Sequence, residues 1–534
     1  MKKTFILLAL WMGTFSFLHA KLSTPSIIGP NMVLQRGQPC PIWGWATPNA
    51  SINLTFAGKT YRTKANQQGD WKIKLDPLEA SFNQRTMIIA EGSTNGFNRV
   101  RKNFSTQLKN QPGSLVYENI LVGEVWLCSG QSNMQWGVSS SDDSDLETLS
   151  ANYPNIRLIS VPQVGTQIPQ KDFEGSWEAV NQQSSASFSA VGYYFGRRLH
   201  QILQVPVGLI DNSWGGSACE AWIPKDRLMV HPIAQPYMME WREKERNYDF
   251  DALTKIHLEK LTKWKAEKTK GSTSRPPRAP RNIMTGQHRP GNLFNGVLHP
   301  IIGYGIKGAI WYQGESNTGR AHAYREIFPL MVQSWRQAWG QGDFSFYWTQ
   351  LADFHSESTS PNDSAWAELR ESQTISLKKL NHSGEAVIID AGEGRDIHPR
   401  NKQIVANRLL RHALAKDYGQ KIPHESPRYD SMKIKGSKIM INFNHAGAGL
   451  YCFDSKTPTG FTICGEDQKF VWASAKLIGK ESVEVWADSV STPIAARYAW
   501  ADNPVCNLYR RDGSVTLPVT PFRTDNFPLT TMGK

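Results

Sequence analysis

The chain has 534 residues, 40% of them hydrophobic and 20% charged, and a formal net charge of +13 at pH 7. This composition excludes a disordered or membrane-embedded protein, and the length predicts two to four domains. Part of the positive charge lies in one segment with few acids, 255–281, which is typical of a solvated surface helix and tail. Because neither zinc-finger spacing nor an RNA-binding aromatic motif accompanies it, nucleic acid is not expected as a partner.

The first twenty residues have the pattern of a secretory signal. Lys2 and Lys3 precede an apolar run that is too short to span a bilayer, and the small residue Ala20 stands at the expected cleavage point. We therefore predict a signal peptide at 1–20, cleaved after Ala20, and a secreted or periplasmic protein. No later apolar run reaches the length of a membrane span, so the mature chain is expected to have none.

The six cysteines are too few for a disulfide framework in a chain of this size. Cys452 and Cys464 flank a short turn that contains Gly and Pro, and they are the pair favoured for oxidation in an exported protein. Cys128 lies inside an apolar segment and is interpreted as a buried free thiol. No two of the cysteines have the spacing of metal ligands.

Short alternating segments, such as 51–56, fill the region from Leu22 to Gln107 and are separated by turn residues such as Gly37 and Gly58. Strands at this spacing are typical of a small β-sandwich. We predict an N-terminal β-sandwich at 21–112. Because similar strands return late in the chain, we also predict a C-terminal all-β, sandwich-like region at 426–534.

Apolar strands alternate with amphipathic helices between 113 and 425. This alternation favours a parallel sheet with helices on both faces, an α/β fold of flavodoxin-like kind. A charged, Pro-rich insertion at about 225–290 interrupts it, with one amphipathic helix predicted from Leu253, Ile256, Leu261 and Trp264. The predicted strands are 120–128, 205–214, 306–313, 344–351 and 385–392, and the predicted helices are 188–203, 323–339, 366–380 and 402–414.

Four polar, Gly-containing motifs follow the predicted strands. They are SGQSNM (129–134), SWGGSACEAW (213–222), WYQGESN (311–317) and DAGEGRDIHPRNK (390–402). In an open parallel sheet, ligands bind at the edge where the strands reach their carboxyl ends. A single motif of this kind is readily explained as a turn, whereas four at successive strand ends favour a functional site.

The residues of these motifs match the needs of acyl transfer. Ser132, at a predicted helix start, is the candidate nucleophile. His398 is the candidate base, and Asp396 is the candidate that orients its imidazole. The candidates for an oxyanion hole are the backbone amides and side-chain amides of Ser132, Gly215, Gly216, Gln313 and Asn317.

Each candidate also has a purely structural interpretation. Ser132 suits the N-cap of a helix, where a hydroxyl accepts from free backbone amides. Asp396 suits a turn in which it caps the following helix, and the Gly215–Gly216 pair suits a tight turn. Glu315 is interpreted only as a structural partner of an Arg or a Ser.

Taken together, the motifs resemble a known family. VGEVWLCSGQSNM, SWGGSACEAW, WYQGESN and DIHPRNK are similar to the signature blocks of the sialate O-acetylesterase-like branch of the SGNH (GDSL-like) hydrolase superfamily. The N-terminal NMVLQRGQPCPIWGWA and the C-terminal RYAWADNPVCNLY and PFRTD also resemble that branch. The likeness therefore covers nearly the whole mature chain and implies an SGNH hydrolase core between two β-sandwich-like regions.

The resemblance implies roles for individual residues. Ser132 matches the nucleophile and contributes its own amide to the oxyanion hole, a glycine of 215–216 supplies the second amide, and His398 matches the base. In the superfamily, the Asn of a Gly-x-Asn-Asp block supplies the third donor of the oxyanion hole. Here Gly314 is followed by Glu315-Ser316-Asn317 instead, so Gln313 is the preferred third donor and Asn317 the second choice. The superfamily usually places its Asp three residues before the His, whereas here Asp396 stands two before it.

The implied activity is that of a serine esterase that removes O-acetyl groups from carbohydrate. Sialic acid is the implied substrate, and no metal or organic cofactor is called for. Relatives that act on acetylated xylan leave a plant-polysaccharide substrate open, and a lipase-like hydrolase of longer acyl chains is a further alternative. A non-catalytic carbohydrate-binding protein is the alternative from a different class, and the oligomeric state is not predicted.

Overall fold

The computed structural model describes residues 21–92 and 113–534. The predicted signal peptide at 1–20 lies outside the described residues. Strands come first along the chain, then a central sheet with helices, then strands again, so the α/β class that the sequence predicts is confirmed. Among the described helices, none combines the length and apolarity needed to cross a membrane.

The N-terminal strands form two small sheets. Strand β3 pairs with β4 and β6, whereas β2 and β5 form a separate antiparallel pair. Their buried residues, such as Ile42 and Leu54, belong to the same apolar core as one face of the central sheet. The strands are β1 (Val33–Gln35), β2 (Cys40–Trp45), β3 (Ser51–Phe56), β4 (Lys59–Lys64), β5 (Asp70–Leu75) and β6 (Ser81–Glu91).

The long strand β7 (Leu115–Gly130) belongs to both the N-terminal and the central sheets. Its first half pairs with β6 and then with β1, in register Val33↔Leu121. Its second half pairs with two strands of the central sheet, described next. The apolar run from Ile120 to Cys128 is buried throughout because sheet and helices cover it on both sides.

The central sheet has six parallel strands, in the order β13-β12-β11-β7-β10-β8, and β9 adds an antiparallel edge. Without β8 and β9, the remaining five strands can be numbered in chain order with β7 as strand 1. Their spatial order is then 2-1-3-4-5, so that successive strands are added on one side of β7 first and on its other side afterwards. The strands other than β7 are β8 (Tyr153–Ser160), β9 (Glu178–Val180), β10 (Val207–Asp211), β11 (Gly308–Tyr312), β12 (Ser345–Thr349) and β13 (Ser383–Ala386).

Helices cover both faces of this sheet, as predicted. Alternate residues of β7 point to opposite cores: Trp126 packs with the helices of one face and Leu127 with those of the other. The α-helices are α1 (Ser132–Gln135), α2 (Ser144–Leu149), α3 (Gln182–Ser187), α4 (Ala190–Leu203), α5 (Lys225–Val230), α6 (Gln235–Asn247), α7 (Phe250–Lys268), α8 (Ala321–Trp339), α9 (Ala365–Ile375) and α10 (Lys402–Lys416). Helices α4 and α10 lie on one face, and α8 and α9 on the other.

Shorter helical turns connect these elements. The 3-10 turns are Val138–Ser140, Cys219–Trp222, Pro232–Ala234, Ile283–Thr285, His299–Ile301, Glu315–Arg320 and Ser376–Lys378, and a π-helical turn spans Phe294–Leu298. The predicted strand at 385–392 is shorter in the structure and starts earlier, as β13. After Ala386 the chain leaves the sheet, and Val387 and Ile389 pack into the C-terminal core instead.

The insertion differs from its prediction. It contains three helices, α5, α6 and α7, rather than one. Helix α7 covers the predicted segment, but its predicted apolar side is not buried, since Leu253 and Ile256 are 41% and 47% exposed. The helix is therefore held by its own backbone and by its Asp249 N-cap rather than by an apolar interface within this chain.

The C-terminal strands form three small sheets around a core of their own. They are β14 (Arg428–Lys435), β15 (Lys438–Asn444), β16 (Leu450–Cys452), β17 (Phe461–Cys464), β18 (Val471–Trp472), β19 (Ser474–Ile478), β20 (Ser482–Trp486), β21 (Ala495–Tyr498), β22 (Leu508–Asp512), β23 (Val515–Pro518) and β24 (Phe522–Arg523). Cys452 and Cys464 lie in different sheets and form no disulfide, so the favoured pairing is wrong. Cys128 is a buried free thiol, as predicted.

Candidate active site

Ser132 lies directly after β7, at the carboxyl edge of the central sheet. Gly130 permits the sharp exit from the strand, because its φ is +139° and a side chain there would meet the Tyr312 carbonyl oxygen at 2.2 Å. Ser132 is the first residue of α1, and Gln131 holds the N-cap position without a side-chain capping bond. The interpretation of Ser132 as the N-cap is therefore wrong, and its hydroxyl has a different partner.

That partner is His398, on the loop between β13 and α10. The imidazole Nε2 lies 2.9 Å from the Ser132 Oγ. The ring stacks on the indole of Trp136, with centroids 4.5 Å apart and 11° between the planes. Burial, and next the ammonium of Lys402, lower the pKa of His398, while Asp396 acts in the opposite direction. The imidazole is therefore neutral at pH 7 and able to accept the serine proton.

Asp396 lies beside the imidazole but holds it loosely. Its Oδ1 is 3.5 Å from His398 Nδ1, and the carboxylate is 54% exposed to solvent. The same oxygen accepts a 2.9 Å hydrogen bond from the backbone amide of His398. Asp396 therefore shapes the loop that carries His398 while it also faces the ring, but it does not cap the following helix as its structural interpretation predicts, because the N-cap of α10 is Asn401.

Gly215 and Gly216 follow β10 and lie across from Ser132. A side chain at Gly215 would come within 3.4 Å of Ser132 Cβ, and Gly216 has φ +68°. The Gly215 amide donates to the Gln135 Oε1 at 2.8 Å. The backbone amide of Ser132 has no acceptor inside its helix, because the first amides of a helix have none. The Ser132 amide is thus left by its helix to receive an oxyanion, whereas the Gly215 amide is occupied by the Gln135 side chain.

Gln313 and Asn317, the predicted side-chain donors of the oxyanion hole, have their amides hydrogen-bonded inside the protein. The Gln313 Nε2 donates to the Ser217 carbonyl oxygen at 3.0 Å and to the Asn317 Oδ1 at 2.7 Å. The Asn317 Nδ2 donates to Glu220 at 2.9 Å, and its Oδ1 also accepts from the Cys219 amide. Both side chains are buried and tie the loop after β11 to the loop after β10.

A buried polar network beneath Ser132 was not predicted from the sequence. The Asn133 Nδ2 donates to Glu315 Oε1 at 2.7 Å and to the Ile397 carbonyl oxygen at 2.9 Å. The Asn133 Oδ1 accepts from the Lys402 Nζ at 2.5 Å. Glu315 therefore pairs with an Asn, not with an Arg or a Ser, and burial raises its pKa.

The signal that reveals Lys402 is its place in the apolar pattern of α10. Val405, Ala406 and Leu409 form the buried stripe of this helix, and Lys402 stands one turn before them on the same stripe. A lysine at a core position of an amphipathic helix is rare unless it is paired. Asn133 has no comparable signal, because its role depends on loops far away in sequence.

The arrangement supplies a hydroxyl with a neutral base in hydrogen-bond contact and a backbone amide beside it. Such a set can generate a nucleophile and receive an oxyanion. Within residues 21–92 and 113–534, no group of three or more His, Cys, Asp or Glu side chains is placed to hold a metal ion.

Comparison with known proteins gives consistent relatives over nearly the full chain. Residues 295–395 match the family model described as "Carbohydrate esterase, sialic acid-specific acetylesterase". The sialate O-acetylesterases of Mus musculus and Homo sapiens are 29% and 28% identical to the chain, over 93% of it and over 93% and 91% of their own lengths. A solved carbohydrate acetylesterase from Xanthomonas citri is 33% identical, with a TM-score of 0.77 over 95% of this chain and 100% of that one.

The α/β fold and these relatives define the protein as an esterase. The chain belongs to a family of carbohydrate acetylesterases.

Proposed function

We propose that the protein hydrolyses O-acetyl esters of carbohydrates, with O-acetylated sialic acids as the first substrate class, through a covalent acetyl-enzyme on Ser132. The observation that carries the proposal is the 2.9 Å contact between Ser132 Oγ and His398 Nε2. Two residues 266 positions apart in the chain meet there with the geometry that a nucleophile and its base require.

The proposed reaction has two halves. In the first, His398 takes the proton from Ser132 Oγ as the oxygen attacks the acetyl carbonyl carbon, and a tetrahedral oxyanion forms. Its collapse breaks the bond to the sugar oxygen, which leaves with the proton from His398, so that serine carries the acetyl group. In the second half, His398 takes a proton from water, the hydroxide attacks the acetyl carbonyl, and acetate leaves as Ser132 regains its proton.

The oxyanion is assigned to backbone amides. The Ser132 amide is one donor, and the Gly215 amide becomes the second when the Gln135 side chain gives up its 2.8 Å hydrogen bond. The loops after β7 and β10 fix the backbone that carries both amides, so that only the Gln135 side chain has to move before charge develops on the oxyanion.

The substrate class rests on the relatives and on charge. The family description names sialic acid, and the mammalian relatives are named sialate O-acetylesterases. A net charge of +13 favours a substrate with a carboxylate. Acetylated xylan is the neutral alternative, and acetate release from a panel of O-acetylated sialic acids and acetylated xylan separates the two.

Replacement of Ser132 tests the catalytic part of the proposal. We expect Ser132→Ala to lower kcat for 4-nitrophenyl acetate by at least about 10³-fold, because Ser132 supplies the hydroxyl that lies in hydrogen-bond contact with His398. Ser139→Ala, at an exposed serine nearby, is the matched control and should retain wild-type activity. Equal rates for Ser132→Ala and wild type at matched purity would leave a non-catalytic carbohydrate-binding protein as the better description. Rates that rise from acetate to octanoate esters would instead indicate a lipase-like hydrolase.

We also propose the organisation and location that go with this activity. The proposal is an SGNH hydrolase core at 113–425, with the helical insertion at about 225–290, between β-sandwich-like regions at 21–112 and 426–534. Support comes from the parallel sheet with its reversal beside β7 and from the separate C-terminal core. Secretion or periplasmic export rests on the first twenty residues of the sequence.

A further inference from the structure

Lys402 occupies a position that is unfavourable for a cation. It is 1% exposed and is the first residue of α10, where the helix dipole repels positive charge. Within the described parts of the chain it has no ion pair, and its hydrogen-bond acceptor is the neutral amide oxygen of Asn133, at 2.5 Å. Burial of an ammonium costs several kcal/mol unless it is well compensated. The core would be more stable with an apolar residue here.

What surrounds Lys402 is the framework of the Ser132–His398 pair. Its Nζ lies 5.9 Å from the ring of Trp136 and 5.4 Å from the ring of Tyr312. Trp136 is the residue on which the His398 imidazole stacks. The cation and the imidazole therefore both contact one indole, and a cation over an aromatic ring fixes the position of that ring.

Asn133 is the second link from Lys402 to the catalytic pair. Its amide oxygen accepts from Lys402, which leaves both amide hydrogens to point the other way, toward Glu315 and toward the Ile397 carbonyl oxygen. Ile397 is the residue before His398, and Asn133 is the residue after Ser132. One side chain thus joins the backbone next to the base to the backbone next to the nucleophile, and Lys402 decides which way it points.

We propose that Lys402 is a positioning residue for the reaction: through Asn133 and Trp136 it holds His398 opposite Ser132. The inference rests on the proposed roles of Ser132 and His398. Without the ammonium, the Asn133 amide loses the contact that fixes its orientation, and the indole under His398 loses its cation.

The charges around His398 and Lys402 set the direction in which the loss of Lys402 shifts the pH profile. His398 faces Lys402, which lowers its pKa, and Asp396, which raises it. Lys402 faces Glu315, Glu393 and Asp396, and burial lowers its pKa to about 7. The side chain is therefore half charged near pH 7 and mostly an ammonium from about one pH unit lower, where His398 would otherwise become protonated. Loss of this charge raises the pKa of His398 and moves the acid limb of the kcat/KM profile to higher pH.

Two substitutions of Lys402 separate the effect of its hydrogen bond to Asn133 from the effect of its charge. Lys402→Met removes both the hydrogen bond to Asn133 and the charge, whereas Lys402→Gln keeps a donor for the Asn133 oxygen and removes only the charge. For Lys402→Met we expect kcat about 10- to 100-fold lower with KM nearly unchanged, since misplacement of a base acts on the chemical step. For Lys402→Gln we expect a smaller loss of kcat. Both variants should show the acid limb at higher pH than wild type.

The test measures kcat, KM and the pH profile on 4-nitrophenyl acetate for the full-length variants, with folding checked by circular dichroism. Lys416→Met, in the last turn of the same helix, is the matched control, and its profile should equal that of wild type. Wild-type kcat and an unshifted acid limb in both Lys402 variants would overturn the inference. An active Ser132→Ala enzyme would instead overturn the proposed function on which it rests. If Lys402→Met does not fold, Lys402→Gln alone still decides the charge effect.

Discussion

At the scale of single residues, the imidazole of His398, the proposed base, is held more by the indole of Trp136 than by the carboxylate of Asp396. The His398 imidazole lies flat on Trp136 at 4.5 Å, whereas Asp396 is half exposed and 3.5 Å from Nδ1. In a tightly coupled Ser-His-Asp triad, the buried carboxylate fixes the tautomer, and its loss costs about 10⁴ in kcat. An exposed carboxylate contributes less because water screens it.

Asp396→Asn tests this difference. We expect kcat/KM to fall by about tenfold or less, since the Asn side chain still accepts from the His398 amide and the indole still orients the ring. The measurement is kcat/KM on 4-nitrophenyl acetate, with Asp430→Asn, an exposed aspartate on β14, as the control. A loss near 10⁴-fold would mean that Asp396 closes on His398 when substrate binds.

At the residue level, the sequence indicates which side chains lie together at the sheet edge. Ser132 and His398 each belong to a motif that follows a strand, and the fold brings them into contact. The sequence does not indicate that the side-chain amides of Gln313 and Asn317 donate to Ser217 and Glu220, which come from another loop. Which way a side-chain amide points depends on such distant partners, and no spacing in the sequence encodes it.

At the scale of secondary structure, the alternation of strands and helices predicts five strands of the central sheet and misses two, β8 and β9. Strand β8 reads YPNIRLIS, and Pro154 and Arg157 interrupt its apolar run. The structure gives the charge a partner: the Arg157 guanidinium donates to the side-chain oxygens of Asn31 and, on β7, of Asn119. A tertiary partner therefore allows a charge inside a strand that local preference argues against.

Helix α4 packs on the sheet through a glycine. A methyl group at Gly196 would lie 2.6 Å from Leu209 Cδ1 and 3.0 Å from Leu209 Cγ, and Leu209 is fully buried on β10. Alanine in place of glycine normally stabilises a helix by about 1 kcal/mol. Here we expect Gly196→Ala to lower the free energy of unfolding by about 1–3 kcal/mol through overpacking.

Urea unfolding followed by circular dichroism measures this effect. Gly319→Ala is the control, because a methyl group at that position meets no atom within 4 Å. A Gly196→Ala protein as stable as wild type would show that Leu209 can repack at little cost.

At the scale of the whole molecule, the C-terminal region is fixed to the central domain by a buried cation. The Arg370 guanidinium on α9 donates to the carbonyl oxygens of Leu351 and Ala352 in the core, and of Ala501 and Asp502 in the C-terminal region. All four distances lie between 2.6 and 2.9 Å. Burial lowers the pKa of Arg370 to about 10, so it is charged at neutral pH.

Arg370→Met is expected to loosen this junction. It removes four charge-assisted hydrogen bonds and takes away the donor of the Leu351 and Ala501 carbonyl oxygens, whereas those of Ala352 and Asp502 still accept from Trp366 and Phe354. We therefore expect a loss of about 3 kcal/mol in the free energy of unfolding. Urea unfolding monitored by tryptophan fluorescence gives the measurement, with the exposed Lys378→Met as the control for loss of a positive charge nearby. Coincident unfolding curves for Arg370→Met and wild type would show that other contacts hold the two regions together.

The strand shared by the first two regions has a consequence for the order in which the chain folds. Leu121 pairs with Val33, and Trp126 in the same strand pairs with Gly308. During synthesis β1 and β6 cannot complete their pairing before Leu115–Gly130 follows, and that strand lacks one of its two neighbours in the central sheet until Gly308–Tyr312 has left the ribosome. Pairings so distant in sequence form slowly and leave strand edges unprotected meanwhile. The first 300 residues are thus expected to mature as one cooperative unit, and a nascent chain stopped before Gly308 should remain sensitive to protease.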